Sequence, residues 1–181
     1  MLFSMAVYAC WVVLFASLAF RKRPPQAREV KRGRRWGAGL AIQGLSIAVV
    51  FGLRRGSEAG LAVGIAAVAL AAASVWIMRA SERALGRQFA YQARLVEGHR
   101  LVTSGPYRFV RHPIYTALYG LTLATALVDS RWIAIPVFTA IYAVGTAVRV
   151  RSEERLLRTE FGAEFEQYAA RVPAVVPGLR V

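Results

Sequence analysis

The chain has 181 residues, of which 56% are hydrophobic, and a mean hydropathy of +0.41. Soluble domains run at roughly 45 to 50% apolar residues, so this apolar excess, carried together with a net charge of +14, excludes an ordinary water-soluble domain. The basic residues are spread between apolar runs and form no single stripe, which argues against a nucleic-acid face. One cysteine, Cys10, allows no intramolecular disulfide and no cysteine metal cluster.

Taken in order, Leu2 to Phe20 carries no charge over nineteen residues, enough at about 1.5 Å per residue to cross a hydrocarbon core of roughly 30 Å. No basic residue precedes it and Arg21, Lys22 and Arg23 follow it, the reverse of a signal peptide's charge order. Arg21 to Arg35 holds eight basic residues, with Pro24 and Pro25 opposing a helix. Trp36 to Leu53 and Gly60 to Met78 are two more uncharged runs, and the short turn that joins them predicts an antiparallel helical hairpin. Their small residues, among them Gly39, Gly44 and Gly64, suit close helix packing in lipid.

Arg79 to Arg111 is polar, and Ser81 to Gln92 is compatible with a continuation of the third helix. Pro113 to Val128 and Trp132 to Val148 are apolar runs separated by Asp129, Ser130 and Arg131, a spacing that predicts a tight helical hairpin. Pro113 suits the first turn of its helix. From Arg149 the tail is a charged helix with Leu156, Leu157, Phe161, Phe165 and Tyr168 at helical spacing, open to interruption at Gly162.

The sequence thus predicts an all-α, polytopic membrane bundle of about five transmembrane helices with a cytoplasmic carboxyl-terminal amphipathic helix. Residues 1–78 supply three helices; residues 79–181 supply the hairpin, the tail and the chemistry. Of the 24 basic residues, 21 fall in the segments on one side. The positive-inside rule places that side in the cytoplasm and the amino terminus outside.

The segment Gly98 to Tyr115, GHRLVTSGPYRFVRHPIY, holds both histidines of the chain. His112, at the mouth of the fourth helix, has a ring that both donates and accepts near neutral pH. Arg149 and Glu153 are four residues apart and share a helix face, with Glu154 beside them. A carboxylate there suits an ammonium or ribose hydroxyl, and a guanidinium suits a substrate carboxylate. Two histidines thirteen residues apart and no nearby carboxylate pair make a poor metal set. No GxGxxG or phosphate loop is present. Bottom-up, the reading is a cytoplasm-facing polar pocket on a membrane bundle.

These residues resemble the isoprenylcysteine carboxyl methyltransferase family, whose motif runs approximately GHxLVTxGxYxxxRHPxY, then R, EE and FGxxYxxYxxRVP. Here the pattern is GHRLVTSGPYRFVRHPIY, then Arg149, Glu153 and Glu154, then FGAEFEQYAARVP, a match spanning Gln92 to Pro177. The resemblance implies a membrane methyltransferase using S-adenosylmethionine without a Rossmann domain. Its implied cofactor contacts are Gln92, His99, Arg100, Leu101, Val102, Tyr107, His112, Pro113, Ile114, Tyr115 and Glu153. Arg149 matches a substrate-side arginine, and Arg111 and Arg171 match basic motif positions that bind or orient. Phe165 stands where the family has tyrosine, and Ile114 where serine is frequent.

A carboxylate acceptor is already ionised and needs no base; a thiol, phenol or amine acceptor makes His112 a base candidate. The expected acceptor is a lipophilic or prenylated molecule in a lipid environment. Two other readings compete: an NADPH-dependent membrane reductase of isoprenoids or sterols, and a non-enzymatic protein that binds anionic lipids.

Overall fold

A computed structural model describes residues 1–20, 29–32, 36–54, 59–86, 94–96 and 100–177. Its helices are α1 (Leu2–Ala19), α2 (Trp36–Gly52), α3 (Leu61–Leu85), α4 (Pro113–Asp129), α5 (Ala134–Phe161) and α6 (Ala163–Arg171). A short 3-10 turn, Gly105–Arg108, precedes α4. Each of the five apolar runs becomes one helix. The third run continues as expected past Met78, but as helix only to Leu85, where Gly86 closes it at φ 52°, a conformation that a residue without Cβ adopts cheaply.

One addition to the all-helical expectation is a two-stranded antiparallel pairing of β1 (Glu29–Arg32) with β2 (Arg94–Val96). It joins the two long basic loops. Neither segment carries the apolar period that would announce a strand, and the pairing satisfies backbone groups that a loop leaves to solvent.

Packing is organised as two helix pairs, α3 on α4 and α2 on α5, with α1 against α3 and α4, so the second and third helices do not pack as the hairpin that their short connection predicted. Ten of the residues of α4 are buried, which makes it the central helix. Close approach depends on missing side chains. A Cβ at Gly120 would come within 2.4 Å of Ser74 Oγ, and one at Gly39 within 2.5 Å of Arg149 Cγ and 2.9 Å of the Gly145 carbonyl. Apolar burial adds Val7, Trp11, Leu14, Ala67, Ala71, Met78, Leu121 and Val128 in one cluster, and Val50, Ala126, Phe138 and Tyr142 in a second.

At the end of the bundle away from His112, Asp129 accepts hydrogen bonds from Ser4 Oγ (2.7 Å) and Tyr8 Oη. Ser130 Oγ donates to the Val50 carbonyl (2.7 Å), and Arg131 N to the Leu53 carbonyl (2.8 Å). These bonds tie α1 and α2 to the α4–α5 turn. The outward faces remain apolar: Val12, Phe15, Leu61, Ile65, Trp76 and Val144 are all exposed. Helices apolar on every side suit lipid rather than water. By length and composition α3 and α5 are able to cross a membrane, and Leu2–Ser17 and Gly37–Gly52 are shorter apolar helices.

Helix α5 runs unbroken from its apolar half into its charged half and stops at Gly162, φ 49°. The interruption expected at Gly162 is therefore real. It turns α6 back so that Phe165 and Tyr168 are buried, and the tail then closes over the start of α4. Arg111 N donates to the Pro173 carbonyl (2.8 Å), His112 N to Ala174 (2.9 Å) and Thr116 Oγ1 to Val175 (2.7 Å).

Candidate active site

The fold sets the first turn of α4 against the stretch of α5 just beyond its apolar half. His112 is the N-cap residue of α4 and Pro113 its first residue, so the helix start is fixed where the His112 ring meets two carboxylates. Its Nδ1 lies 3.4 Å from Glu153 Oε2 and its Nε2 3.2 Å from Glu154 Oε1. With an acid facing each ring nitrogen, the doubly protonated ring is favoured. Burial acts to lower the His112 pKa, but the hydrogen bonds and charges of Glu153 and Glu154 outweigh it and the net shift is upward. Burial likewise pushes both glutamates up, while His112, with Tyr115 and Arg149 at Glu153 and Arg111 at Glu154, brings them below the usual carboxylate value.

The two glutamates do different work. Glu154 is buried and receives Arg111 Nε and Nη2, each at 2.9 Å, with Arg158 Nη2 at 3.3 Å. Arg111 Nη1 also donates to the carbonyls of Ala169 (2.9 Å) and Val172. Arg111 and Glu154 thus lock α4, α5 and the tail together. Glu153 is the more accessible carboxylate, its side chain 23% exposed. It accepts from Tyr115 Oη and lies 3.8 Å from Arg149 Nη2.

Around Glu153 the surfaces are aromatic. The His112 and Tyr115 rings stack at 5.7 Å, and the Arg149 guanidinium sits 4.8 Å above the Tyr115 ring. Tyr142 Oη fixes the α4 backbone by donating to the Tyr115 carbonyl (2.8 Å). Arg149 is buried, and its Nη1 donates to Gln43 Oε1 of α2 at 3.2 Å.

Of the residues singled out in the sequence, His112, Pro113, Tyr115, Arg149 and Glu153 come together here, with Arg111 directly behind. Tyr107 is buried nearby and its carbonyl accepts from Tyr168 Oη (2.6 Å). Ile114 turns towards the apolar core. Leu101 and Val102 are half-buried, and Arg100 is exposed. Arg171 stands apart, exposed, with its Nε donating to the Gln167 carbonyl (3.1 Å). Gln92 and His99 lie outside the described residues. The residues that sequence reasoning passed over are Gln43, Thr146 and Tyr142. Gln43, an amide inside an otherwise apolar run, was the one legible signal among them.

The family model for phospholipid methyltransferase matches residues 62–164, more than half of the chain. The chain belongs to the phospholipid methyltransferase family. Within it, this phospholipid methyltransferase family member is 34% identical over 94 residues to protein-S-isoprenylcysteine O-methyltransferase B of Arabidopsis thaliana, covering 51% of this chain and 48% of that protein. It is 33% identical over 79 residues to protein-S-isoprenylcysteine O-methyltransferase of Schizosaccharomyces pombe, covering 44% and 34%. Another relative bears a different title, cobalt-zinc-cadmium resistance protein CzcN of Cupriavidus metallidurans, at 38% over 84 residues, covering 46% and 38%. The chain spans about half or less of the length of these curated relatives. The resemblance to isoprenylcysteine carboxyl methyltransferases carried by the motif agrees with the names of the first two of these relatives.

Proposed function

We propose that this protein is a membrane methyltransferase that uses S-adenosylmethionine and methylates a carboxylate on a lipophilic acceptor of the isoprenylcysteine type. The observation that carries the reading is the meeting of Glu153, His112, Tyr115 and Arg149 from two helices at one polar end of an apolar bundle. The relatives named as isoprenylcysteine O-methyltransferases supply the acceptor class.

The donor set fits the cofactor chemically. Glu153 offers a partly exposed carboxylate for an ammonium or ribose hydroxyls. When bound, S-adenosylmethionine would supply a methyl group on that sulfur, which departs as a neutral thioether while the acceptor oxygen bonds the methyl carbon. Tyr115 and His112 hold Glu153 in one orientation. Arg149 aims the acceptor carboxylate by paired hydrogen bonds, and alignment of this kind supplies much of the acceleration in a displacement. With both its nitrogens facing carboxylates, His112 is spent as a positioning cation rather than left neutral as a base. That favours an acceptor already ionised, a carboxylate, over a thiol, phenol or amine.

In this reading α1 to α5 all cross the membrane, the amino terminus lies outside, and the site faces the cytoplasm, in keeping with the placement of 21 of 24 basic residues. The test is methyl transfer from labelled S-adenosylmethionine to N-acetyl-S-farnesylcysteine by detergent-purified protein. Base-labile label in the lipophilic product supports a carboxyl ester; base-stable label points to another acceptor atom. NADPH consumption with an isoprenoid and no methyl transfer would replace the reading with the reductase.

A further inference from the structure

Gln43 lies in α2, outside the residues matched by the family model, and is 1% exposed. A buried primary amide in an apolar helix is costly unless both its ends are bonded. Here both are. Its Nε2 donates to Thr146 Oγ1 at 2.8 Å, and its Oε1 accepts from Arg149 Nη1 at 3.2 Å. The guanidinium, which has donors only, determines which end of the amide faces it, since a flipped amide would set its NH2 donors against those of Arg149; the Thr146 hydroxyl accepts from the NH2 that remains.

The same crossing makes room for the arginine stem. A Cβ at Gly39 would strike Arg149 Cγ, and one at Gly145 would come within 3.0 Å of Gln43. The guanidinium is thus confined between Gln43 on α2 and the Tyr115 ring and Glu153 on its other side. A neutral acceptor such as an amide fixes the direction of a guanidinium without cancelling its charge; a carboxylate at that place would do both.

We infer that Gln43 is a positioning residue for Arg149, so that α2 sets the orientation of the anionic acceptor, while its neutrality adds no second counter-charge beside Glu153. The inference rests on the proposed role of Arg149 in aiming a carboxylate. Gln43 touches neither reacting group and acts only through Arg149.

The experiment uses the full chain in detergent. Kinetics of methyl transfer to N-acetyl-S-farnesylcysteine, and affinity for S-adenosylhomocysteine by calorimetry, are compared for wild type, Gln43→Met, Gln43→Glu, Arg149→Lys and the double variant Gln43→Met with Arg149→Lys. Loss of one hydrogen bond to a charged group predicts that Gln43→Met raises the acceptor KM about tenfold or more, with product affinity within about twofold of wild type. Because Gln43 acts through Arg149, the double variant loses little beyond Arg149→Lys alone. Gln43→Glu keeps the volume and an oxygen towards Arg149 but exchanges the NH2 on Thr146 for a charge; a raised KM with product affinity unchanged, which a general loss of structure would not give, is the expected result here too. It also carries the test should Gln43→Met not fold.

Wild-type KM in the Gln43 variants, with Arg149→Lys impaired, overturns the inference and leaves the proposed function standing. Losses that multiply in the double variant also overturn it. Wild-type KM in Arg149→Lys removes both the inference and the role given to Arg149. Product binding without any transfer to this probe by wild type overturns the carboxylate acceptor, and the inference with it.

Discussion

At the scale of single residues, the site is an electrostatic balance in which each charge is held by its opposite. His112 has its pKa raised in the fold, so its contribution to stability is complete below the usual histidine value of about 6.5 and is lost as pH rises through the folded value. Glu153 and Glu154 are lowered; their contribution is complete above their usual value of about 4.5 and is lost as pH falls through the folded values. The melting temperature in detergent is therefore expected to be highest between about pH 4.5 and 6.5 and to fall on either side. His112→Gln should remove the fall on the alkaline side. An unchanged alkaline limb in that variant would show that His112 does not carry it.

Much of this cluster was legible from residue identity. His112, Arg149 and Glu153 stood out because titratable residues are conspicuous beside apolar runs, and the four-residue spacing of Arg149 and Glu153 put them on one face. The spacing could not distinguish a solvated surface pair from a buried one. What decides it is the crossing of α2, whose Gly39 and Gln43 lie against Arg149 opposite the Tyr115 ring, while the return of the tail over α4 encloses His112 and Glu154. Tertiary closure of that kind has no local sequence signature. Arg171, named from its motif position, is exposed and donates to the Gln167 carbonyl of its own helix.

At the scale of elements, the informative contacts are helix crossings rather than helices. The five runs of apolar residues marked where each helix begins, because length and absence of charge are enough to mark them, but α3 and α5 continue beyond their apolar runs to Leu85 and Phe161. Which helix lies beside which was not legible, since apolar side chains pack equally well against many partners. Small residues narrow the choice. Gly39 and Gly145 let α2 and α5 approach until backbone atoms nearly touch, and Arg149 passes through the gap. Gly39→Ala forces a methyl group into Arg149 Cγ and the Gly145 carbonyl, and overpacking of this kind costs about 1–3 kcal/mol. Thermal melting should show the loss, with acceptor kinetics impaired as well. The same change at Gly37, where a Cβ meets nothing within 4 Å, should leave melting close to wild type, and equal effects at both positions would contradict this packing.

At the scale of the whole molecule, an apolar exterior, a polar cluster at one end and the asymmetric spread of basic residues along the sequence are the grounds for the proposed orientation in a bilayer. The orientation is testable in a Cys10→Ala background. Trp132→Cys and Arg108→Cys replace exposed side chains near opposite ends of α4. A membrane-impermeant thiol reagent added to intact cells should label Trp132→Cys and spare Arg108→Cys; the reverse pattern would invert the topology.

The central claim is that Glu153, held by His112 and Tyr115, binds the methyl donor. Calorimetric titration of the purified protein with S-adenosylhomocysteine measures this without requiring the acceptor. Wild type should bind, and Glu153→Gln, which keeps the shape but removes the charge, should bind about tenfold or more weakly at an unchanged fold, as expected for the loss of a charged hydrogen-bond acceptor. Absence of binding by folded wild-type protein, or equal affinity in Glu153→Gln, would contradict the account.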